Sequence, residues 1–203
     1  GFPERRLIGM NHGETWTDDH GVTIRSVAAS HEFLDRDPVT GLYPYLQYVI
    51  EGDGVRIYHA GDTVRYESML PALQALGPFD LALVPINGRD ARRYLADCIG
   101  NMTFQEAADL VGELRPRLAV PGHWDMFPGN TADPQDFKAY LSAKYGSLVP
   151  CLIPEIMQPL PLVESHPVIH GAGPVFYTVF SGEDSRAVLV SQGIDAHLGF
   201  RLG

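Results

Sequence analysis

The chain has 203 residues, 45% hydrophobic and 20% charged, proportions that are typical of a globular domain and exclude a disordered or coiled-coil chain. Its net charge of −10 repels phosphodiester backbones, and its largest basic cluster, Arg89, Arg92 and Arg93, is too small for a nucleic-acid interface. The sequence contains no apolar run of about 18 or more residues. We therefore predict no nucleic-acid partner and no membrane segment.

The first half of the chain predicts three strands followed by a helix. Residues 22–29 are rich in β-branched side chains and indicate a strand. Two apolar runs, 45–51 and 55–60, flank Gly52-Asp53-Gly54, whose residues tolerate the positive φ angles of a tight turn, and together they predict a β-hairpin. Apolar side chains at three- and four-residue spacing over 66–76 then indicate a helix.

The second half alternates strands and helices. The predicted elements are a strand at 80–86, a helix that begins at the capping box of Thr103 and Glu106, a strand at 117–121, a helix at 134–145, and a further hairpin within 174–191. Alternation of this kind favours an α/β fold in which helices pack on a sheet.

A polar residue follows the C-terminal end of each of four predicted strands: His31, Asp62, Asn87 and His123. In open α/β sheets, ligands bind at the carboxyl ends of the strands. Two imidazoles and a carboxylate at one edge suit zinc, manganese or iron. Each residue alone has a plainer explanation, because a single histidine at a strand end is more often a surface residue or a hydrogen-bonded core residue.

Three strings, YHAGDT at 58–63, DLALVPINGR at 80–89 and VPGHWDMF at 120–127, resemble the metallo-β-lactamase superfamily. Within it they are most similar to the branch of L-ascorbate-6-phosphate lactonase and related metal-dependent hydrolases. The resemblance covers residues 1–162 in matching order. It implies a metallo-β-lactamase-like αββα sandwich in the α/β class, with two sheets packed face to face between outer helices.

The resemblance also implies ligands for two divalent metal ions, zinc or manganese. His31 matches the histidine that serves the first ion. Asp62 matches the aspartate that binds the second ion and can bridge both, and His123 matches the last histidine, on the second ion. By the same resemblance, Asp62 and His123 are the catalytic residues.

The family's leading motif, H-x-H-x-D-H, which supplies most of the ligands, occurs nowhere in this sequence. We therefore expect residues 1–163 to be a metallo-β-lactamase-like domain that lacks its N-terminal part and keeps the C-terminal sheet and helices. Residues 164–203 are predicted to be a C-terminal extension of unknown origin that contains a β-hairpin. Because the three remaining ligands serve two ions, we expect weak, substoichiometric metal binding by this chain alone.

Three further residues are candidates for supporting roles. Asn87 and Arg89 follow a strand end, and an arginine there suits a phosphate or carboxylate group of a substrate; the alternative is a solvated loop arginine. Asp125 is predicted to orient His123 by accepting a hydrogen bond, with a surface turn as the alternative. His59 is interpreted as a packed core histidine and not as a ligand.

Together with the resemblance, these residues imply a metal-dependent hydrolase that cleaves a lactone or a small anionic ester through a metal-bound hydroxide. One alternative is a phosphodiesterase on the same fold, and another is a non-catalytic remnant or binding module without a full metal site. The expected partner is a small-molecule substrate, and the resemblance suggests a homo-oligomer. The two cysteines, Cys98 and Cys151, form no C-x-x-C pair and indicate free thiols in a reducing compartment, the cytoplasm.

Overall fold

A computed structural model describes residues 7–155 and 158–159, together with three short strands near the C-terminus. The strands are β1 (Thr15–Thr17), β2 (Thr23–Ala28), β3 (Leu46–Gly52), β4 (Val55–His59), β5 (Leu81–Pro85), β6 (Leu118–Gly122), β7 (Tyr177–Val179), β8 (Arg186–Leu189) and β9 (Leu198–Arg201). The helices are α1 (Met69–Leu76), α2 (Ala91–Leu95), α3 (Phe104–Leu114) and α4 (Pro134–Tyr145), with a 3-10 turn after α4 at Gly146–Leu148.

Strands β1 to β6 form one sheet in chain order. The pairs from β1 to β4 are antiparallel, whereas β4, β5 and β6 pair in parallel. Because β2 and β4 are both antiparallel to β3, β2 runs in the same direction as β4, β5 and β6. The carboxyl ends of these four strands therefore lie at one edge of the sheet, and His31, Asp62, Asn87 and His123 follow them.

The β3–β4 hairpin confirms the prediction from its turn residues. Asp53 and Gly54 occupy the turn with φ angles of 52° and 76°, in the left-handed region that such tight turns require. The strands pair over five positions, from Tyr48 opposite His59 to Gly52 opposite Val55. This register places His59, and hence the loop that carries Asp62, at the sheet edge described above.

The sheet buries apolar side chains on both faces. One cluster joins the sheet to α1, α3 and α4, and its fully buried members include Tyr58, Leu110 and Phe137. A second cluster on the other face consists of strand residues such as Ile57, with Trp16 packed against it. Neighbouring residues of one strand thus point into different clusters, as the pleat requires.

Local sequence signals determine where the two longest helices begin. At α3, the hydroxyl of Thr103 accepts a hydrogen bond from the Glu106 amide at 3.2 Å, and the Glu106 carboxylate accepts one from the Thr103 amide at 2.9 Å. At α4, Asp133 caps the helix by accepting from the Gln135 amide at 2.8 Å. Caps of this type each contribute about 1 kcal/mol to stability.

The predicted α/β fold with helices on a sheet is confirmed. The sequence did not predict β1 or α2, which are only three and five residues long. Near the C-terminus, β7 pairs antiparallel with β8, as the hairpin prediction for 174–191 requires, and β9 adds a third strand. The turn at 182–184 and the proposed domain boundary after residue 163 lie outside the described residues. Within the described part, no helix is both long enough and apolar enough to span a membrane.

Candidate functional site

The structure brings three of the predicted site residues together at the sheet edge. Asp62 lies between two histidines, with its Oδ2 at 3.4 Å from Nε2 of His123 and at 3.9 Å from Nε2 of His31. The side chains of His31, Asp62 and His123 are 39%, 19% and 12% exposed, so the cluster opens to solvent on the His31 side. Their binding of a metal stays a prediction.

Two tight backbone turns present Asp62 and His123. Gly61 has a φ of 58°, and a Cβ at this position would lie 2.9 Å from the carbonyl oxygen of Leu46, so only glycine fits there without strain. His123 itself has a φ of 51°, which is uncommon for a residue with a side chain. Backbone strain of this kind occurs often at functional sites.

The imidazole of His31 contacts an aromatic ring and a glycine. It stacks on Tyr45, with ring centroids 5.0 Å apart and an interplanar angle of 25°. It also packs against Gly100 so closely that a Cβ there would lie 2.3 Å from His31 Cε1. These two contacts favour the observed orientation of the ring.

His123 is held in a buried setting next to a carboxylate. Burial lowers the pKa of His123, but the adjacent Asp62 carboxylate, together with a backbone hydrogen bond and the charge of Asp125, raises it, and the resulting pKa lies above its ordinary value. Its Nδ1 is buried and has no hydrogen-bond partner among the described residues. Asp125 lies in an exposed bend and accepts no hydrogen bond from this nitrogen, and its role in orienting His123 stays a prediction.

His59 is partly buried at the end of β4 and stabilises the loop that carries Asp62, as expected of a packed histidine. Its Nδ1 accepts a hydrogen bond from the Gly61 amide at 3.0 Å, which ties the end of β4 to the loop before Asp62. Burial lowers the pKa of His59, although Asp62 opposes this effect. The ring therefore stays neutral at physiological pH and keeps Nδ1 available as an acceptor.

Arg89 is already paired. Its two terminal nitrogens donate to the two carboxylate oxygens of Glu106 at 2.9 and 2.7 Å, and one of them also donates to the Asn101 carbonyl at 3.1 Å. This arrangement holds the loop after β5 against the start of α3. The role of Arg89 in binding an anionic substrate stays a prediction. It requires the guanidinium to bind the substrate while it keeps its hydrogen bonds to Glu106.

Asn87 is 2% exposed, and its side-chain oxygen is buried without a hydrogen-bond partner among the described residues. Asn101 shares both properties, with 4% exposure. Buried polar atoms in native proteins are nearly always hydrogen-bonded. The side-chain oxygens of Asn87 and Asn101 therefore need a hydrogen-bond donor that the described residues do not supply. The prediction that Asn87 contacts substrate stays open.

The donors fit a divalent cation in kind and, for one pair, in spacing. Two ligands bound to one zinc ion at about 2.0–2.1 Å in tetrahedral geometry lie about 3.4 Å apart. The distance between His123 Nε2 and Asp62 Oδ2 is 3.4 Å and matches this spacing. The distance between His31 Nε2 and Asp62 Oδ2 is longer, at 3.9 Å. No group of three or more His, Cys, Asp and Glu residues within the described ranges is arranged to hold a metal ion. The three residues thus supply suitable donors without a complete coordination sphere.

Comparison with known proteins finds relatives that are named metal-dependent hydrolases. The UPF0173 metal-dependent hydrolase of Thermococcus onnurineus is 42% identical over 142 residues, which are 70% of this chain and 57% of that protein. A UPF0173 metal-dependent hydrolase of Pyrococcus furiosus is 37% identical over 137 residues, covering 68% of this chain and 55% of that protein. The chain therefore spans a little over half the length of these relatives.

A solved structure and a family model agree with these relatives. Igni18, a metallo hydrolase from the archaeon Ignicoccus hospitalis, superposes with a TM-score of 0.56 at 29% identity, covering 73% of this chain and 57% of that one. The model of the beta-lactamase superfamily domain matches residues 2–124, a range that contains His31, Asp62 and His123. Because this match covers more than half of the sequence, the chain belongs to the metallo-β-lactamase superfamily.

Proposed function

We propose that this chain acts as a metal-dependent hydrolase in which His31, Asp62 and His123 bind a divalent cation. The observation that carries the proposal is the convergence of two imidazoles on Oδ2 of Asp62, at 3.4 and 3.9 Å. A cation bound there would polarise a substrate carbonyl and lower the pKa of a coordinated water. Relatives that are named metal-dependent hydrolases support the same activity.

The protein's own residues orient the donors and determine when they can bind a cation. Tyr45 stacks on the His31 ring, and Gly100 packs against it. The carboxylate of Asp62 favours the protonated form of His123, so a cation would have to displace this proton before the imidazole could bind it. In this chain, water would complete the coordination sphere, as it does in catalytic zinc sites that have three protein ligands.

We further propose a lactone or a small anionic ester as the substrate. The support is the similarity of the three strings to the lactonase branch, together with the arginine that follows β5. Arg89 lies on the loop between β5 and α2, and its pairing with Glu106 leaves its side chain 32% exposed. Free thiols at Cys98 and Cys151 support a cytoplasmic location.

Substrate assays with added metal test the proposal. The purified chain is incubated with zinc or manganese and with aliphatic lactones, phosphorylated lactones, p-nitrophenyl acetate and bis(p-nitrophenyl) phosphate. Because we expect this chain alone to bind metal weakly, the metal is added in excess. We expect slow hydrolysis of lactones and esters that requires the metal and stops on chelation. His123→Ala is expected to lower the rate at least about 100-fold, whereas His20→Ala, at an exposed loop position, leaves it unchanged.

Each alternative has its own outcome in the same assay. Cleavage of the phosphodiester without cleavage of any lactone would replace the lactonase proposal with the phosphodiesterase. Metal binding without hydrolysis of any substrate would favour the binding module. Equal rates for His123→Ala and the unmodified chain would contradict the site itself.

A further inference from the structure

Thr63, the residue after Asp62, joins two loops of the candidate site through its hydroxyl. It is fully buried. Its Oγ1 accepts a hydrogen bond from the Ser30 amide at 3.0 Å and donates one to the carbonyl of Val64 at 2.9 Å. The Val64 amide donates in turn to the Ser30 carbonyl at 2.7 Å. Because Ser30 directly precedes His31, these bonds fasten the backbone next to one donor to the backbone next to the other.

The backbone of Thr63 reaches a third loop. Its carbonyl accepts a hydrogen bond from the Met102 amide at 2.9 Å. Met102 lies two residues after Gly100, the glycine against which the His31 ring packs. One buried residue is therefore bonded to the loop that carries His31, to the loop that carries Asp62 and to the loop that supports the His31 ring.

Removal of the hydroxyl alone would loosen the connection between the two donors. The Ser30 amide is in a residue that is 2% exposed, so it would lose its partner without gaining access to bulk water. A buried donor without a partner is unfavourable, and the loops would shift to relieve it. A shift of either loop would move His31 relative to Asp62 and weaken the binding of a cation that both residues hold.

We propose that Thr63 is a positioning residue whose hydroxyl, through its hydrogen bond to Ser30, fixes the separation of His31 and Asp62 for cation binding. This inference rests on the proposed function, because it requires both residues to be ligands. The hydroxyl of Thr63 is hydrogen-bonded to the backbone of Ser30 and Val64, so it acts on the donors through the backbone beside them. Partners that orient ligands in this way change metal affinity about 10- to 100-fold.

Titration with Co²⁺ tests this role, because the visible spectrum of the bound ion reports its coordination geometry. Thr63→Val removes the hydroxyl and keeps the shape of the side chain, whereas Thr63→Ser keeps the hydroxyl. We expect Thr63→Val to bind Co²⁺ about tenfold more weakly or worse and with an altered spectrum. Thr63→Ser should restore both the affinity and the spectrum. Thr63→Ala serves as a second hydroxyl-free variant if Thr63→Val does not fold.

A matched control separates positioning from stability. Ser26 lies in β2, away from His31, Asp62 and His123, and is also 2% exposed. Its hydroxyl donates to the backbone carbonyls of Asn11 and Glu14. Ser26→Ala should lower the melting temperature and leave Co²⁺ affinity and spectrum unchanged.

The outcomes also distinguish this inference from the proposed function. Wild-type affinity and spectrum in the folded hydroxyl-free variants would overturn the positioning role. The proposed site would fail instead if Co²⁺ binding by the unmodified chain were absent or were unaffected by His123→Ala.

Discussion

Asp62→Asn is expected to weaken divalent-metal binding by at least about 100-fold. Asp62 is the only one of the three donors that contacts both others, with one oxygen facing both imidazoles. The change keeps the size of the side chain but removes its negative charge and replaces a carboxylate oxygen with an amide, which is a weaker metal ligand. Changes to residues that merely orient a ligand already cost about 10- to 100-fold, so loss of a carboxylate ligand should cost no less than the upper end. Isothermal titration with zinc or manganese measures the affinity.

Asp109→Asn is the matched control for this prediction. Asp109 on α3 is similarly exposed, at 26% of its side chain, and pairs with Lys144 at 2.6 Å. The control variant loses a carboxylate of similar exposure that lies on α3, outside the candidate site. It should keep the metal affinity of the unmodified chain. An equal loss of affinity in both variants would indicate a general effect of charge and would contradict a specific role for Asp62.

Gly100→Ala is expected to displace the His31 ring and to lower metal affinity at least about tenfold. The added Cβ would lie 2.3 Å from Cε1 of this ring, closer than any van der Waals contact allows. Because the His31 side chain is 39% exposed, it can swing toward solvent, which relieves the clash at the expense of the Tyr45 stack. The cost in stability should therefore stay within the range of about 1–3 kcal/mol that is usual for overpacking.

Paired titrations of metal affinity and thermal denaturation measure both effects of Gly100→Ala. Gly9→Ala is the control, because a Cβ at Gly9 meets no atom within 4 Å and its φ is ordinary. The control should change neither quantity. If Gly100→Ala bound metal as tightly as the unmodified chain, the orientation of His31 would be irrelevant to the site.

The strands and helices that the sequence predicted share strong local signals. The β3–β4 hairpin was predictable because Asp53 and Gly54 suit its turn, and α3 because its capping box lies within four consecutive residues. β1 and α2 were not predicted, since three and five residues are too few to show a period. Chain order and strand direction were then sufficient to place His31, Asp62 and His123 at one edge.

The contacts that support these residues were not predictable, because they join distant parts of the chain. Thr63 bonds to a residue 33 positions earlier, and Arg89 pairs with Glu106, 17 positions later. The capping box did indicate that Glu106 would be occupied, but not that Arg89 would share it. Gly100 carries no signal in its sequence context, since its role is to leave space for a ring from another loop.

The most direct test of the account is paramagnetic NMR on the histidine rings. Mn²⁺ is added in small amounts to the chain labelled with ¹⁵N at histidine, and broadening of each ring resonance reports its distance from the bound ion. We expect His31 and His123 to broaden first, while His20, at an exposed position in another loop, stays sharp. Asp62→Asn should abolish this selectivity. Uniform broadening of all histidines, or sharp resonances for His31 and His123, would contradict the claim that these residues form part of a metal site.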